Sequence, residues 1–294
     1  MLKLASTIQQ RREKTELVLN NIYNLPPIPK AMSEAITLLD NPATSVVSLT
    51  GVISKDQGLV TKILAIANSP LFGLQRKVTS IDFAIMVLGF TELKNIISVL
   101  SMAESFKNKT DKYLDQKEFW LHSYLTGSAA KRLAEDLDFP NSGEAFVAGF
   151  LHDMGISVMH KFFHSHFIEI NKLAIETQRG FLDAEYEILG MNHQHIGNFL
   201  ADKWNFPEIL CDAILNHHNP PGSDTINVLT SIIHLADYMT QKLQIGNSYW
   251  DADLELNLSE VESLRFRDPD ELEQFIKGYE ELFNYQAKAV RFLS

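Results

Sequence analysis

Histidine and aspartate side chains recur through the middle of the chain, where the surrounding sequence is apolar and helical in its spacing. In chain order they are His122, His152, Asp153, His195, His217 and Asp237. An isolated carboxylate or imidazolium is costly to bury, so such groups are normally paired or bound to a metal. Imidazole together with carboxylate suits Fe, Mn, Zn or Ni. The pattern predicts a site for a divalent transition metal, with one or two ions.

The local sequence places several of these residues toward a core. His152 and Asp153 follow the apolar run of residues 145–151, whose small side chains let a neighbouring helix approach closely. Asp237 takes the next position of a helical stripe formed by Ile226, Thr230 and Ile233. Adjacent His and Asp residues at a helix end can both reach one metal ion, or bridge two.

The remaining candidates are assigned by helical geometry. Residues i and i+2 point about 200° apart on a helix, so only one of His193 and His195 faces the core, and the apolar residues after His195 favour it. His217 continues a stripe of Leu210, Ala213 and Ile214. His218 either contributes to the site or caps the final carbonyls of its helix.

Each candidate also has an explanation without a metal. Glu118 and His122, one helical turn apart, form either part of the metal site or an ordinary surface pair. His152 and Asp153 could be joined by a hydrogen bond at a helix end, and Asp237 could pair with His234. The histidines at positions 160, 164 and 166 are interpreted as surface residues.

The elements that carry these residues are helical. Apolar residues recur at helical spacing throughout, and neither long alternating strands nor Asn-Gly or Asp-Gly hairpin signals occur. The polar residues 108–116 mark a junction between two helical parts. The last helix begins with Asp268 as its cap, Pro269 at its first position and Glu271 closing a capping box.

We therefore predict an all-α fold, a multi-helix bundle with an N-terminal helical subdomain. Residues 1–24 form an N-terminal helical extension, and residues 25–110 form the first helical half. Residues 111–245 form the second half, which holds the candidate metal site. Residues 246–294 form an acidic, irregular linker and the C-terminal helix.

Composition limits the classes of function. The net charge of −11 argues against unspecific nucleic-acid binding. The apolar run at residues 146–151 is far shorter than the roughly 20 residues that a membrane-spanning helix needs, and the N-terminus lacks the apolar stretch of a signal peptide. A single cysteine, Cys211, excludes an internal disulfide framework. We expect a cytoplasmic protein without nucleic-acid or membrane partners.

The order of these motifs resembles the HD superfamily of metal-dependent phosphohydrolases, and in particular its HDOD branch (HD-related output domain). The resemblance spans about residues 25–242. It is carried by LPPIP at 25–29, DQGLVTKIL at 56–64, SIDFAI at 80–85, FVAGFLHDMG at 146–155, HIG at 195–197 and HHNP at 217–220. It implies an all-helical, HD-type fold and a regulatory role in bacterial signalling.

The metal positions resemble those of the HD-GYP branch, which hydrolyses cyclic di-GMP. The matching residues are His122, His152, Asp153, His195, His217, His218 and Asp237, with Glu118 matching an extra ligand of trinuclear members. Asp153 is then the metal-bridging residue of any catalysis. Two features depart from that branch: Ile156 stands where HD-GYP enzymes have a lysine, and residues 219–224 replace the Gly-Tyr-Pro substrate motif.

Three functions follow from this resemblance. The first is a non-catalytic or weakly catalytic signalling module that retains its metal and binds protein partners through its helical surface. The alternative is a metal-dependent phosphohydrolase or phosphodiesterase acting on nucleotides or cyclic dinucleotides. In the third, the metal is structural or sensory. The two departures favour the first.

Overall fold

The fold is given by a computed structural model. It describes residues 7–22, 29–69, 72, 76–220, 228–243, 248–252, 254–256, 264, 266 and 269–290. These residues form α-helices and short 3₁₀ segments, and the described part of the chain contains no strand. The prediction of an all-α fold is confirmed for these residues.

The helices are numbered α1 to α15. In chain order they are α1 (Ile8–Asn20), α2 (Lys30–Leu39), α3 (Val46–Ile53), α4 (Gln57–Ala67), α5 (Ile81–Phe106), α6 (Gln116–Asp136), α7 (Ser142–Leu151), α8 (Met154–Phe162), α9 (His164–Thr177), α10 (Phe181–Leu189), α11 (His193–Lys203), α12 (Glu208–Asn216), α13 (Val228–Lys242), a 3₁₀ turn (Tyr249–Asp251), α14 (Pro269–Gly278) and α15 (Glu280–Val290).

Helices α2 to α5 pack together as the first half of the molecule. Side-chain caps fix where two of them begin: Ser45 accepts a hydrogen bond from the backbone N–H of Ser48, and Asp56 accepts one from Leu59. Their apolar stripes, including Leu49 and Ile63, are fully buried. The caps and stripes together explain why the sequence pattern identified these helices.

Helix α5 is two helices joined at Gly89. That residue has φ 77°, a left-handed conformation that glycine adopts without a steric penalty, and it interrupts the helical backbone. The sequence placed a helix end at this glycine. By length and composition α5 is the one described helix that could span a membrane. In this fold it packs against α2, α3, α4 and α7 instead.

Helices α6 to α13 form the second half. Helix α6 begins at the N-cap Asp115, whose carboxylate accepts hydrogen bonds from the next backbone amides, and it packs against α7 and α13. The connection between α5 and α6, at residues 107–115, is non-helical where the sequence placed a junction. Because α5 also contacts α7 and α8, the two halves share one core.

Both ends of the chain pack on the second half. The Thr15 hydroxyl of α1 donates to the Leu189 carbonyl at 2.8 Å, and α1 contacts α10 and α11. At the other end, the prediction of a single last helix is wrong. The helix stops at Gly278 and restarts at Glu280, so that Tyr279 can hydrogen-bond Asp136 of α6. The predicted cap Asp268 lies outside the described residues.

Candidate metal centre

Six helices of the second half, together with the Tyr249–Asp251 turn, bring His and Asp side chains to one buried point. We call this set the His–Asp cluster: His122, His152, Asp153, His193, His217, His218, Asp237 and Asp251. Each member is at most 6% exposed. His122 lies on α6 and Asp237 on α13, whereas His152, Asp153 and His217 lie at helix ends. The cluster unites residues that are far apart in sequence.

One carboxylate oxygen of Asp153 faces the first group of ligands. Asp153 Oδ2 lies 3.5 Å from His122 Nε2 and 3.2 Å from His152 Nε2. Asp237 Oδ1 approaches the same two nitrogens, at 3.3 Å and 3.6 Å. The two histidine Nε2 atoms are 3.4 Å apart. Two imidazoles and two carboxylates thus converge on one point.

The other oxygen of Asp153 faces a second group. Asp153 Oδ1 lies 3.4 Å from His193 Nε2 and 3.5 Å from His217 Nε2. His193 Nε2 in turn lies 3.1 Å from His218 Nε2. With the two groups on opposite oxygens, Asp153 has the position of a carboxylate that bridges two ions.

Hydrogen bonds at Nδ1, the ring nitrogen that faces away from the cluster, fix the orientation of three histidine rings. His152 Nδ1 lies 2.7 Å from the Gly149 carbonyl, and His217 Nδ1 lies 2.8 Å from the Ile214 carbonyl. A carbonyl only accepts, so each Nδ1 carries a proton and donates it, and each Nε2 faces into the cluster. His193 Nδ1 is held in the same way by the Glu185 carboxylate, at 3.0 Å. Such outer hydrogen bonds are typical of metal-binding histidines.

The charges of the cluster require a cation or protons. Burial lowers the pKa of His217 to about 4. Burial also opposes the charge of His152, but the Asp153 and Asp237 carboxylates outweigh it and raise the pKa of His152 to about 10. Burial and the charges of Asp153 and Asp237 raise the pKa of Asp251 well above its usual range. In the metal-free protein, bound protons therefore reduce the repulsion among the carboxylates of the cluster.

The donor set fits metal ions better than it fits protons. Neither oxygen of Asp237 has a well-directed hydrogen-bond partner among the described residues, and the same is true of both oxygens of Asp251. Buried polar atoms are nearly always satisfied, so these oxygens need a partner that the protein does not supply. Imidazole nitrogens and carboxylate oxygens around them suit divalent Fe, Mn, Zn or Ni.

A close approach of two helices positions His193. A Cβ atom built on Gly155 of α8 would lie 2.0 Å from the His193 backbone carbonyl oxygen of α11. Only glycine permits this separation, and it is what brings His193 against Asp153. Gly155, two residues after Asp153, therefore helps to form the site because it lets His193 lie near that aspartate.

The expectation that His195 faces the core is wrong. His193 is fully buried in the cluster, whereas His195 is half-buried and its Nδ1 pairs with the side chain of Asn192. The reason is the helix start. Asn192 caps α11 and His193 is its first residue, so His193 faces Glu185 and Asp153 while His195 turns back to the cap. The apolar stripe after His195 does not extend to the first turn.

Two further residues at the site, Trp250 beside the cluster and Asp251 within it, escaped the sequence pattern. Trp250 Nε1 donates to Asp153 Oδ2 at 2.7 Å, and Asp251 Oδ1 lies 3.0 Å from His218 Nε2. Both residues are buried, so this part of the predicted acidic linker closes over the cluster. Adjacent aromatic residues at positions 249 and 250 within an acidic stretch were the available signal for burial.

The other candidates lie apart from the cluster. Glu118 is half-buried and belongs to none of the groups of possible ligands among the described residues. The interpretation of His160 as a surface residue is wrong: it is 1% exposed, and its Nε2 lies 3.2 Å from Asp111 Oδ2. Amide nitrogens of Asn108 and Gln116 approach His160 Nδ1, which makes Nε2 the proton donor to Asp111. This arrangement is a hydrogen-bond network.

A cavity of about 290 Å³ adjoins the cluster. His218, Trp250 and Asp251 line it on one side and residues 180–183 on the other. His218 and Asp251 are therefore the cluster residues nearest to this cavity, while Asp153 lies behind Trp250.

Known proteins resemble this chain in sequence and fold. The profile of the HDOD domain matches residues 25–220. An HDOD domain protein of unknown function from Geobacter sulfurreducens has a TM-score of 0.75 and 26% identity, with 98% of this chain and 99% of that chain covered. A protein from Shewanella amazonensis SB2B with the name "Putative phosphohydrolase" has a TM-score of 0.69 and 21% identity, covering 93% and 98% of the two chains.

A sequence relative extends beyond the region of similarity. It is an uncharacterised protein from Treponema pallidum (strain Nichols), 26% identical over 220 residues. The alignment covers 74% of this chain and 40% of the relative, so the chain spans less than half of that protein.

Proposed function

Because the chain belongs to the HDOD domain family, we propose that it is a regulatory module of bacterial signal transduction, built around a closed metal centre. The centre would hold one or two divalent ions of Fe, Mn, Zn or Ni. His122, His152 and Asp237 would hold one ion, His193, His217 and His218 the other, and Asp153 would bridge them. A bound divalent ion supplies Lewis-acid polarisation and charge neutralisation.

The observation that carries this proposal is the closure of the cluster. Structural metal sites are enclosed by protein ligands, whereas catalytic sites keep a position open for water or substrate. Here every cluster residue is at most 6% exposed, and Trp250 and Asp251 cover the side where an approach would otherwise lie. Ile156, where an HD-GYP enzyme has a lysine, is fully buried and offers no cation to a phosphate.

The module would act by presenting its helical surface to other proteins of a signalling pathway. The proposal includes that the protein works in the cytoplasm. The net charge of −11 supports partners other than nucleic acid, since phosphate backbones repel such a surface.

A phosphoester panel tests the proposal. Metal-reloaded protein, with its metal content measured on the same sample, is incubated with bis(p-nitrophenyl) phosphate, nucleotides and cyclic dinucleotides. We expect no turnover above the level of the Asp153→Asn variant. Turnover that depends on the metal and is lost in Asp153→Asn contradicts the regulatory assignment.

A second candidate function is phosphohydrolysis, and the cavity beside His218 and Asp251 favours it. Displacement of the Tyr249–Asp251 turn would join this cavity to the metal centre. Asp251→Ala and Trp250→Ala should then turn over the same phosphoesters, and Leu254→Ala, which changes only the cavity wall, should not. Inactivity of all three metal-loaded variants removes this candidate.

A further inference from the structure

A cavity lies between the two halves of the molecule, away from the His–Asp cluster. It has a volume of about 360 Å³, within the range of small-molecule sites. Helices α4 and α5 of the first half form one wall, with Ile66, Leu100 and Ala103. Helices α6 and α7 of the second half form the other wall, with Trp120, Tyr124 and Phe150. We call it the inter-half pocket.

The second wall of the pocket is aromatic. The rings of Trp120 and Phe150 are stacked, with centroids 5.6 Å apart and an interplanar angle of 19°. The Tyr124 hydroxyl hydrogen-bonds Ser69 at 3.2 Å, which holds that ring in place. Fixed aromatic faces of this kind favour the ring of a planar ligand over a flexible chain.

The polar edge of the pocket is cationic. Lys62, Lys107 and Lys117 line it, against the single carboxylate of Glu104. Glu104 pairs with Lys62, and its second oxygen lies 3.8 Å from Lys107 Nζ. The excess of positive charge stands out in a chain whose net charge is −11. Lys107, with 69% of its side chain exposed, is available to an anion from solvent.

We propose that the inter-half pocket binds a small aromatic organic anion. The ring would lie against Trp120 and Phe150, and its carboxylate, sulfonate or phosphate group would face Lys107 and Lys117. The apolar walls would supply affinity, and the lysines would select charge.

The pocket is placed to influence the His–Asp cluster. Trp120 is two residues before His122 on α6, and Phe150 is two residues before His152 at the end of α7. A ligand that shifts these aromatic rings shifts the helices from which two proposed metal ligands project. This coupling rests on the proposed metal centre, whereas ligand binding in the pocket does not.

Two dyes test the pocket. One is 8-anilinonaphthalene-1-sulfonate, an aromatic anion, and the other is N-phenyl-1-naphthylamine, which has nearly the same rings and no charge. Fluorescence titration of the native protein should give saturable binding of the sulfonate at one site, with affinity about fivefold above that of the neutral dye. Equal affinities for the two dyes would contradict selection for negative charge. Absence of saturable binding would contradict the proposal that the pocket binds an aromatic ligand.

Variants assign the dye to this pocket. Ala103→Trp fills the cavity and should weaken sulfonate binding by about tenfold or more. Val47→Trp adds the same side chain at an exposed position of α3 and should leave binding unchanged. Lys107→Glu, at a position whose side chain is 69% exposed, should weaken binding of the sulfonate and not of the neutral dye. Binding that is the same in Ala103→Trp, Lys107→Glu and wild type contradicts the proposal.

A metal arm tests the coupling separately. By thermodynamic linkage, a ligand that changes metal affinity has its own affinity changed by the same factor. The sulfonate should therefore bind chelator-treated and Mn²⁺-reloaded protein with different affinities. Equal affinities in the two forms overturn the coupling. A protein that takes up no metal defeats the proposed function and the coupling together, and the dye titration still decides the pocket.

Discussion

At the scale of single residues, Asp153 organises the proposed metal centre. Its two oxygens face separate groups of histidines, at 3.2–3.5 Å. The protein anchors three of those rings through Nδ1, so their Nε2 atoms face the carboxylates and the other histidines of the cluster. The arrangement offers possible metal ligands on both sides of the Asp153 carboxylate.

The pair His193 and His195 gives a matched test at this scale. His193→Gln removes a proposed ligand and should lower the metal content by about half or more, since one of two ligand groups loses a member. His195→Gln alters a half-buried residue of the same helix turn and should keep the wild-type content. Elemental analysis of both variants, with helicity checked by circular dichroism, decides between them. Loss of metal only in His195→Gln contradicts the assignment.

Metal uptake should release protons. His152, with a pKa raised to about 10, carries a proton at pH 8 in the metal-free protein, and an ion that takes its Nε2 must displace that proton. Calorimetric titration of Mn²⁺ at pH 8 should therefore give different apparent enthalpies in buffers of different ionisation enthalpy, corresponding to about one proton or more. The same enthalpy in both buffers would show that no proton leaves.

Residue patterns in the sequence predicted most of the cluster and missed His193 and Asp251. His217 and Asp237 each continue an apolar helical stripe, and His152 and Asp153 follow an apolar run, so the patterns placed these four residues toward the core. His122 was identified through the family resemblance. The choice between the two histidines of α11 depended on the first turn of that helix. There the N-cap, and not the apolar stripe, determines which way the side chains point. Asp251 reaches the cluster through tertiary folding of an irregular segment, which leaves no periodic signal.

At the scale of elements, helix ends and close helix contacts position the site. His152 ends α7, Asp153 precedes α8, His193 begins α11 and His217 follows α12. A residue at the end of a helix can reach the site even when no whole face of that helix is turned toward it. Caps and stripes made most of these helices recognisable. Tyr279, where the last helix restarts after Gly278, hydrogen-bonds Asp136 of α6, and local sequence does not encode such a long-range contact.

Gly155 offers a test of the contact between α8 and α11. Gly155→Ala places a Cβ atom 2.0 Å from the His193 carbonyl oxygen, so the helices must separate. We expect a loss of about 3 kcal/mol in the free energy of unfolding, and reduced metal content because His193 moves away from Asp153. Chemical denaturation and elemental analysis measure the two effects.

Gly51→Ala is the control for that substitution. A Cβ atom at Gly51 meets nothing within 4 Å, and alanine is favoured over glycine inside α3. The variant should be as stable as the wild type or more so, with unchanged metal. A Gly155→Ala variant that behaves like Gly51→Ala would contradict the importance of the close contact.

At the scale of the whole molecule, the centre ties distant parts of the chain together. Its residues come from α6 to α13 and from the Tyr249–Asp251 turn, so an ion bound there would join segments more than 100 residues apart in sequence. The order of the motifs predicted the all-α fold. It could not predict that the turn near residue 250 closes the site or that α1 packs on α10 and α11, because both are long-range contacts.

Removal of metal should therefore destabilise the entire protein. A ligand present at about 1,000 times its dissociation constant contributes roughly 4 kcal/mol to stability, which corresponds to a fall of roughly 10 °C in Tm when it is removed. Chelator treatment of the wild type, followed by thermal unfolding, should show that fall, and added Mn²⁺ should restore the Tm. Asp153→Asn should show no response to either reagent, and a wild type that ignores both contradicts the prediction.

The most direct test of the central claim is the metal content of the purified protein beside that of Asp153→Asn. Elemental analysis covering Fe, Mn, Zn and Ni gives ions per chain for both, and Asp111→Asn controls for a carboxylate that pairs with histidines elsewhere. The account predicts about one or two ions per chain in the wild type and in Asp111→Asn, and close to none in Asp153→Asn. Equal metal content in the wild type and Asp153→Asn would contradict it.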